Sequence, residues 1–391
     1  MSLLRCHVLL GILFLALPEV LWGGSPRKGT SLGEYTVYVG TYNLRGGKGI
    51  YGYRFDPASG RFASHIPEAE STNPSFLVIS PDRRFLYAVG ETDSYQGRPT
   101  GSLRAYRIDP RSGGLTLLNE VSSLGAGPCY ISMDQTGRFV LAANYDGGSF
   151  VIYPVLGDGR LAEHASAFVE DHGSGVDRDR QAGPHLHAIQ VSPDNRYLLA
   201  TDLGLDKLFV YRFDSSQGSI EAGKPPYSTV APGAGPRHFV FDPHRQLVYE
   251  INEMGSTVMV FSYDRQSAAL SPLQTVTSLP EGFAGQSTAA EIAIDPGGRF
   301  LYASNRGSDS IRVFAMHGPQ GKLTPVASVA SGGQTPRNFV IDPSGAYLFA
   351  ANQNSDNVVV FRIDSASGRL SPTGQVLKVP SPACVVIRTD D

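Results

Sequence analysis

A set of histidine, arginine and glutamate residues in the central and C-terminal parts of this 391-residue chain could carry out acid–base chemistry. A histidine or a glutamate can take a proton from water and return it to a leaving group. An arginine can stabilise an oxyanion or bind an acidic group of a substrate. The set consists of His185, His187, Arg237, His238, Glu253, Glu291, Arg306 and Arg337.

The same residues also have a purely structural interpretation. Arg237 can pair with Glu253 or with Glu291. Arg306 has the same choice of partners, so the charged residues would form a ring of structural ion pairs. His238 can be a packed histidine with hydrogen-bond partners. Both interpretations stay open at this point.

Other kinds of site have weaker signals in the sequence. His185 and His187 lie two residues apart on a predicted strand, so both would point the same way and could bind a metal ion with Asp202. No further ligand has suitable spacing, so we predict neither a metal site nor a cofactor. The predicted elements also contain no strand–turn–helix nucleophile elbow and no phosphate-cradling loop, which argues against a serine hydrolase or a nucleotide-dependent enzyme.

The elements that would position these residues come from a unit that recurs along the chain. Each copy has a small residue followed by proline, an apolar strand, a turn rich in Pro, Asp and Gly, a second strand, a polar loop and a third strand. The copies begin at Asn73, Gly127, Gly183, Gly235, Ser287, Thr335 and Ser381. Units of this length are typical of four-stranded propeller blades, so the chain is predicted to be an all-β, seven-bladed β-propeller with antiparallel blades.

The two ends of the chain complete the predicted ring. Residues 35–56 contain the second and third strands of a unit but no first strand, whereas residues 381–387 form a first strand alone. We therefore expect the N- and C-terminal strands to share one blade, which closes the ring and leaves no sheet edge free.

Aligning the copies places the candidate residues at one end of the channel. Adjacent strands are antiparallel, so the start of each first strand and the end of each second strand lie at the same mouth. Asparagine recurs where the second strand ends, which is typical of turns. The neighbouring positions instead carry His, Arg and Glu, concentrated in the third to sixth copies. Because charged groups on a narrow mouth have a desolvation cost without a partner or ligand, this inequality predicts a site.

The N-terminal sequence and the net charge indicate where the protein is located and which partners it binds. Arg5, an apolar run and small residues at 23–25 predict a signal peptide at residues 1–24, followed by a propeller domain at residues 25–391. The run is short for a membrane span, and an uncleaved anchor is the alternative. The net charge of −3 without a basic block argues against nucleic acid. We predict an exported monomer, periplasmic or extracellular, with Cys129 and Cys384 as free buried thiols; if the leader is misread, the protein is cytoplasmic.

At these positions the chain resembles the lactonase-type seven-bladed propellers, which include bacterial 6-phosphogluconolactonases and fungal carboxymuconate cycloisomerases. The resemblance spans the chain after the leader and lies in an ordered set of short stretches. They are His172-Gly173-Ser174-Gly175, Arg180-Gln181, Gly183-Pro184-His185-Leu186-His187, Gly235-Pro236-Arg237-His238, Asn252-Glu253, Ala290-Glu291-Ile292, Ser304-Asn305-Arg306-Gly307 and Ala351-Asn352-Gln353-Asn354-Ser355-Asp356.

The resemblance implies a lactonase that acts at this mouth on a sugar lactone. The catalytic residues would be His187 (or His185), Arg237, Glu253 and Arg306. The remaining members of the set would bind the substrate: His185, His238, Glu291 and Arg337. Ring opening would proceed without a metal, with a histidine or glutamate activating water and an arginine stabilising the oxyanion. The loop of residues 170–182 is predicted to be a lid; a solvated charged loop is the alternative.

Export conflicts with one substrate that the resemblance suggests. 6-Phosphogluconolactone is a cytosolic intermediate, so an exported enzyme would act on another lactone, such as an unphosphorylated aldonolactone. A cycloisomerase needs the same acid–base and anion-binding groups and is the second hypothesis. A non-catalytic propeller resembling surface-layer adhesion repeats is the third, and the unequal distribution of His, Arg and Glu among the copies argues against it.

Overall fold

The computed structural model describes residues 33–389, so the predicted signal peptide lies outside the described residues. In this part of the chain the strands form seven four-stranded antiparallel sheets. The first strand of each sheet contacts the first strands of its neighbours all the way around a closed ring. The prediction of an all-β, seven-bladed β-propeller is confirmed.

The strands are short, as expected for blades that are separated by frequent turns. In chain order they are β1 (Tyr35–Thr41), β2 (Gly49–Asp56), β3 (Arg61–Glu70), β4 (Leu77–Ile79), β5 (Phe85–Gly90), β6 (Ser102–Ile108), β7 (Leu115–Ser122), β8 (Pro128–Met133), β9 (Phe139–Asn144), β10 (Ser149–Pro154), β11 (Ala167–Glu170), β12 (Leu186–Val191), β13 (Tyr197–Asp202), β14 (Lys207–Asp214), β15 (Ser219–Thr229), β16 (Pro236–Phe241), β17 (Leu247–Asn252), β18 (Thr257–Tyr263), β19 (Leu270–Thr277), β20 (Thr288–Ile294), β21 (Phe300–Arg306), β22 (Ser310–His317), β23 (Lys322–Ala330), β24 (Pro336–Ile341), β25 (Tyr347–Asn352), β26 (Asn357–Ile363), β27 (Leu370–Lys378) and β28 (Pro382–Thr389). A short 3-10 helix spans Gln353–Ser355.

The blades are numbered here from the first complete copy of the unit. Blade 1 contains β4 to β7, and blades 2 to 6 follow in groups of four strands up to β27. Blade 7 has the strand order β28-β1-β2-β3, and Tyr38 of β1 pairs with Val386 of β28. The predicted closure by strands from both ends of the chain is confirmed. Within the described range no helix has the length and apolarity to cross a membrane.

The core lies between the blades, where the second strands are buried on both faces. This burial explains why β5 is apolar throughout, why β9 is apolar up to its last residue, Asn144, and why neither strand alternates with polar residues. Tyrosine hydroxyl groups connect one blade to the next by donating to backbone carbonyl oxygens at 2.7–3.2 Å. These tyrosines are Tyr38, Tyr87, Tyr249, Tyr302 and Tyr347. Cys129 and Cys384 are buried free thiols, as predicted.

A β-bulge in the first strand of most blades lies at the mouth end. In blade 4, Pro236 pairs with Asn252 and His238 pairs with Ile251, so Arg237 is the extra residue. The corresponding bulged residues of the other blades are Cys129, His187, Ala290 with Glu291, Arg337 and Ala383. Because a bulge redirects a side chain without ending the strand, this position can present a different group in each blade.

The asparagines at the ends of the second strands hold the neighbouring loops. The amide groups of Asn144, Asn305 and Asn352 donate to backbone carbonyl oxygens of the preceding loop at 2.8–3.1 Å. These contacts confirm that asparagine at this position supports turns. Asn252 of blade 4 is different, because within residues 33–389 its amide donates only to side chains, the carboxyl group of Glu250 at 2.9 Å and Thr257 Oγ1 at 3.2 Å.

Candidate active site

The carboxylate of Glu253, directly after β17, lies at the centre of three arginine side chains. Arg306 Nη2 lies 2.7 Å from its Oε2, and Arg237 Nε lies 3.1 Å from the same oxygen. Arg180 Nη2 lies 2.6 Å from Oε1. The three arginines come from blade 5, from the bulge of blade 4 and from the loop before blade 3. Parts of the chain that are distant in sequence therefore converge on one carboxylate.

This arrangement keeps Glu253 ionised although only 5% of the residue is exposed. Burial alone would raise the pKa of Glu253, but Arg306 and Arg237 outweigh it and hold the pKa well below its usual range. Burial, followed by repulsion from Arg306 and Arg337, lowers the pKa of Arg237 to about 10. Arg237 is therefore still a cation at neutral pH, and the carboxylate is compensated by charge at every contact.

Two of these arginines are also fixed by backbone carbonyl groups. Arg237 Nη1 donates to the carbonyl oxygen of Ala290 at 2.5 Å, and Arg306 Nη2 donates to that of Ala289 at 3.0 Å. Arg306 Nε is buried and has no hydrogen-bond partner among the residues that the structure describes. A buried donor without a partner has a free-energy cost that a ligand oxygen can relieve, so this atom is a candidate contact for substrate.

His187 occupies the bulge of blade 3 and lies beside the carboxylate. Its Nε2 is 3.9 Å from Glu253 Oε2, and its Nδ1 is 3.7 Å from the sulfur of Cys129. Burial, together with the positive charge of Arg237, lowers the pKa of His187 well below its usual value. The imidazole is therefore neutral at neutral pH and has one nitrogen lone pair that can accept a proton.

A second cluster surrounds Glu291 of blade 5. His238 Nδ1 lies 3.1 Å from its Oε1, and Asn338 Nδ2 donates to its Oε2 at 2.5 Å. Burial and the nearby Arg237 lower the pKa of His238 to about 4, although Glu291 opposes this shift. Burial would raise the pKa of Glu291, but His238 and Arg237 hold it below its usual value. His238 is thus a packed and hydrogen-bonded histidine.

A third cluster surrounds Arg337, the bulged residue of blade 6. Its guanidinium lies over the ring of Tyr42, 5.3 Å from the ring centroid. The Tyr42 hydroxyl donates to Glu91 Oε2 at 2.8 Å, and the same oxygen accepts from Ser75. Burial would lower the pKa of Arg337, but Tyr42 and Glu91 raise it above its usual value. Arg337 is partly exposed, so it can bind an anionic group.

His185 belongs to an aromatic wall of the mouth and does not contact the carboxylates above. Its ring stacks on Tyr145 with centroids 4.4 Å apart, and its Nδ1 lies 3.0 Å from the Tyr145 carbonyl oxygen. Its backbone N–H donates to Asp202, which also accepts from Leu205. Among residues 33–389, no three His, Cys, Asp or Glu side chains are arranged so that they could hold a metal ion.

The loop of residues 170–182 reaches the mouth through Arg180, which the set of candidates had omitted. Gln181 anchors the loop: its Oε1 accepts from the backbone of Val176 at 3.0 Å, and its Nε2 donates to the Leu203 carbonyl at 2.8 Å. The loop lies outside the repeat, so aligning the copies could not identify Arg180. Tyr42 and Asn338 were also omitted, although Asn338 stands next to Arg337 in an aligned position.

Comparisons with known proteins give a consistent result. A family model described as "Lactonase, 7-bladed beta-propeller" matches residues 36–387, a range that begins in β1 and ends in β28. A 6-phosphogluconolactonase of Bacillus subtilis (strain 168) is 35% identical over 298 residues, which cover 76% of this chain and 82% of that protein. A 6-phosphogluconolactonase of Formosa agariphila is 34% identical over 294 residues, covering 73% of this chain and 80% of that protein.

Solved structures extend the comparison to three dimensions. The structure of the Pseudomonas aeruginosa periplasmic gluconolactonase PpgL matches with a TM-score of 0.85 and 35% sequence identity. The match covers 92% of this chain and all of that chain. The structural similarity therefore extends over nearly the whole chain.

Proposed function

The chain belongs to the lactonase family of seven-bladed β-propellers, and from this premise we propose that it hydrolyses a sugar lactone at the mouth described above. The observation that carries the proposal is the convergence of Arg180, Arg237 and Arg306 on Glu253, with neutral His187 alongside. This arrangement supplies a proton acceptor next to groups that stabilise negative charge, which lactone hydrolysis requires.

His187 is the proposed general base. To accept a proton, Glu253 would have to give up its interactions with three guanidinium groups, and its lowered pKa makes it a poor acceptor. The imidazole of His187 is neutral and holds a free lone pair, although its lowered pKa also makes it a weak base. Glu253 then stabilises the imidazolium that forms and keeps the arginines in place.

In the proposed reaction, a water oxygen attacks the lactone carbonyl carbon while His187 takes the water proton. The carbonyl oxygen becomes an oxyanion, which Arg306 and Arg237 stabilise. The bond between this carbon and the ring oxygen then breaks, and the imidazolium returns the proton to the leaving oxygen. The product is the open hydroxy acid. Its new carboxyl group releases its proton to solvent, and guanidinium groups hold the carboxylate until it leaves.

The remaining candidates are proposed to bind the substrate. Arg337 offers a partly exposed cation, and His185 with Tyr145 offers an aromatic surface for the apolar face of a sugar ring. His238 and Glu291 are only 2% and 8% exposed. We therefore propose that they affect substrate binding indirectly, by holding Arg237 in position. The loop of residues 170–182 is proposed to act as a lid, because Arg180 closes over Glu253.

The substrate and the location are proposed together. The signal-peptide pattern at residues 1–24 and the periplasmic relative PpgL favour export. An exported enzyme would act on an unphosphorylated aldonolactone such as gluconolactone, whereas the curated relatives are named for the phosphorylated lactone. We propose a monomer, because the ring closes within one chain. We also propose that the reaction needs neither a metal nor another cofactor.

The test is hydrolysis of gluconolactone and of 6-phosphogluconolactone by the mature protein, after subtraction of spontaneous opening. We expect enzyme-dependent hydrolysis that falls at least about a hundredfold in His187→Ala, because a positioned general base contributes roughly that much. Thermal unfolding of the variant shows whether the fold is retained. Full activity in a folded His187→Ala variant would contradict the assigned base, and lack of hydrolysis of both lactones would contradict the function.

A further inference from the structure

Glu250 is an exception in the repeat, and the functional site described above does not account for it. It lies in the middle of β17, the second strand of blade 4, and its side chain is completely buried. The equivalent residues in the second strands of the other blades are Ala88, Ala142, Ala200, Ala303, Ala350 and Tyr38. A buried carboxyl group at a position where other blades have an apolar residue has a desolvation cost. Nearby polar groups must therefore stabilise it.

The contacts of Glu250 point to the bulge that carries Arg237. The backbone N–H of Arg237 lies near the Glu250 carboxyl group and acts to lower its pKa, while Glu250 Oε1 forms no hydrogen bond of normal geometry within residues 33–389. This N–H needs a side-chain acceptor because Arg237, as the bulged residue, has no pairing partner in β17. The other oxygen contact comes from Asn252, whose amide donates at 2.9 Å instead of holding a loop carbonyl as in other blades.

The carbonyl group of Arg237 is held by a second side chain. Thr201 Oγ1, from β13 of blade 3, donates to this carbonyl oxygen at 2.6 Å, and Thr201 is also completely buried. The carbonyl group of the bulged residue is thus held by a hydrogen bond from blade 3, and its N–H faces the carboxyl group of Glu250 in its own blade. Blade 5 has one similar contact at its own bulge: the backbone N–H of Glu291 donates to Ser304 Oγ at 3.0 Å.

We propose that Glu250 and Thr201 are positioning residues that fix the backbone of the Arg237 bulge and so aim its guanidinium at Glu253 and at the reacting oxygen. This inference rests on the proposed lactonase function. Glu250 acts as a hydrogen-bond acceptor in this role and needs no negative charge. Its burial favours the neutral carboxyl group, since desolvation raises its pKa well above the usual value.

The first experiment compares Glu250→Ala with Glu250→Gln. The glutamine keeps an acceptor for the Arg237 N–H. Asn252 Oδ1 has no hydrogen-bond partner within residues 33–389, so the Asn252 amide can rotate and accept from the glutamine N–H. We expect Glu250→Ala to lower kcat at least about tenfold with little change in KM, since small misplacements of catalytic groups have effects of this order or larger. We expect Glu250→Gln to stay within about threefold of the wild type.

The second experiment examines the carbonyl side of the bulge. Thr201→Val removes the hydroxyl at nearly constant volume, whereas Thr201→Ser keeps it. Ser132→Ala is the matched control, because Ser132 Oγ also donates to a carbonyl of the next blade, that of Ile189, at 2.6 Å. We expect a loss of kcat of about tenfold only in Thr201→Val. This variant tests the inference even if Glu250→Ala fails to fold.

A readout without substrate separates this inference from the proposed function. We expect the amide hydrogen of Arg237 to exchange at least about tenfold faster in Glu250→Ala and at the wild-type rate in Glu250→Gln. If no lactone is hydrolysed but exchange follows this pattern, the function is wrong and the positioning role stands. Wild-type exchange and wild-type kcat in Glu250→Ala, or equal damage in Glu250→Gln, would overturn the inference.

Discussion

Blades 4 and 6 place the same pair of positions on either side of Glu291 but use them differently. Blade 4 has Arg237 followed by His238, and blade 6 has Arg337 followed by Asn338. The second residue of each pair binds one oxygen of Glu291, His238 at 3.1 Å and Asn338 at 2.5 Å. The backbones are equivalent, because both arginines are the extra residue of a bulge.

The two arginines differ in what surrounds them. Arg237 is 2% exposed and paired with Glu253, and its backbone carbonyl group accepts a hydrogen bond from Thr201. Arg337 is partly exposed and lies over an aromatic ring. Equivalent places in the repeat thus provide either a nearly fully buried cation or a partly exposed one. The neighbouring side chains, more than the fold, determine which of the two roles is possible.

The largest effect that would test this difference is expected for Arg237→Ala. Removal of a preorganised guanidinium should lower kcat by about a thousandfold, the upper range for loss of one oxyanion-stabilising donor. The measurement is steady-state hydrolysis of the preferred lactone. Arg245→Ala is the matched control, since Arg245 pairs with Asp242 at 3.0 Å in a turn of the same blade. A stability loss without a change in kcat would support the purely structural ion-pair interpretation.

The next effect concerns pH, because His238 titrates and its counterpart Asn338 does not. The pKa of His238 is about 4 in the folded protein and about 6.5 when unperturbed. Between these values the unfolded state binds more protons, so the free energy of unfolding should fall as pH decreases through this range. In urea unfolding, the wild type should lose about 2–3 kcal/mol more than His238→Asn between about pH 7 and pH 4.5. Parallel losses in both proteins would contradict the assignment.

A smaller effect is expected for Arg337→Ala. An accessible cation that binds the substrate equally before and during the reaction should change KM, and we expect a rise of about tenfold with kcat nearly unchanged. Arg337→Lys should recover part of the affinity because the charge remains. If Arg337→Ala lowered kcat as much as Arg237→Ala does, the distinction between the two blades would be wrong.

The smallest effect is expected for Arg180→Ala in the loop of residues 170–182. The Arg180 side chain is 41% exposed, so its ion pair with Glu253 is screened by solvent and contributes little to stability. We expect a change of about two- to fivefold in kcat/KM, measured with the same lactone. Arg178→Ala, an exposed arginine of the same loop, should behave like the wild type and serves as the control.

The repeat made the fold and part of the site predictable from the sequence. Blade number, ring closure and the mouth followed from the recurring unit, and comparison of aligned positions found Arg237, Glu253 and Arg306. Which residues would share a carboxylate could not be derived, since contacts such as that of Arg306 depend on the exact rotation between blades. Arg180 lies in a loop outside the repeat and left no aligned signal.

Glu250 shows that a signal in the sequence can be present and still be overlooked. The alignment contains alanine at the equivalent position in five blades, so the glutamate stands out once second-strand interiors are compared. The aligned positions at the strand ends do not include this interior position. The proposed role of Glu250 also depends on the structure, because the bulge at Arg237 cannot be derived from the sequence pattern.

The bulges at the mouth have a consequence for how such proteins can diversify. A bulged residue has no partner in the adjacent strand, so exchanging it leaves the pairing of the blade intact. Substitutions at Cys129, His187, Arg237, Arg337 and Ala383 therefore leave the strand pairing intact, although Cys129, His187 and Arg237 remain coupled through their contacts with one another and with Glu253. The side chains that line the mouth can therefore differ from blade to blade, while the tyrosine contacts between blades preserve the ring.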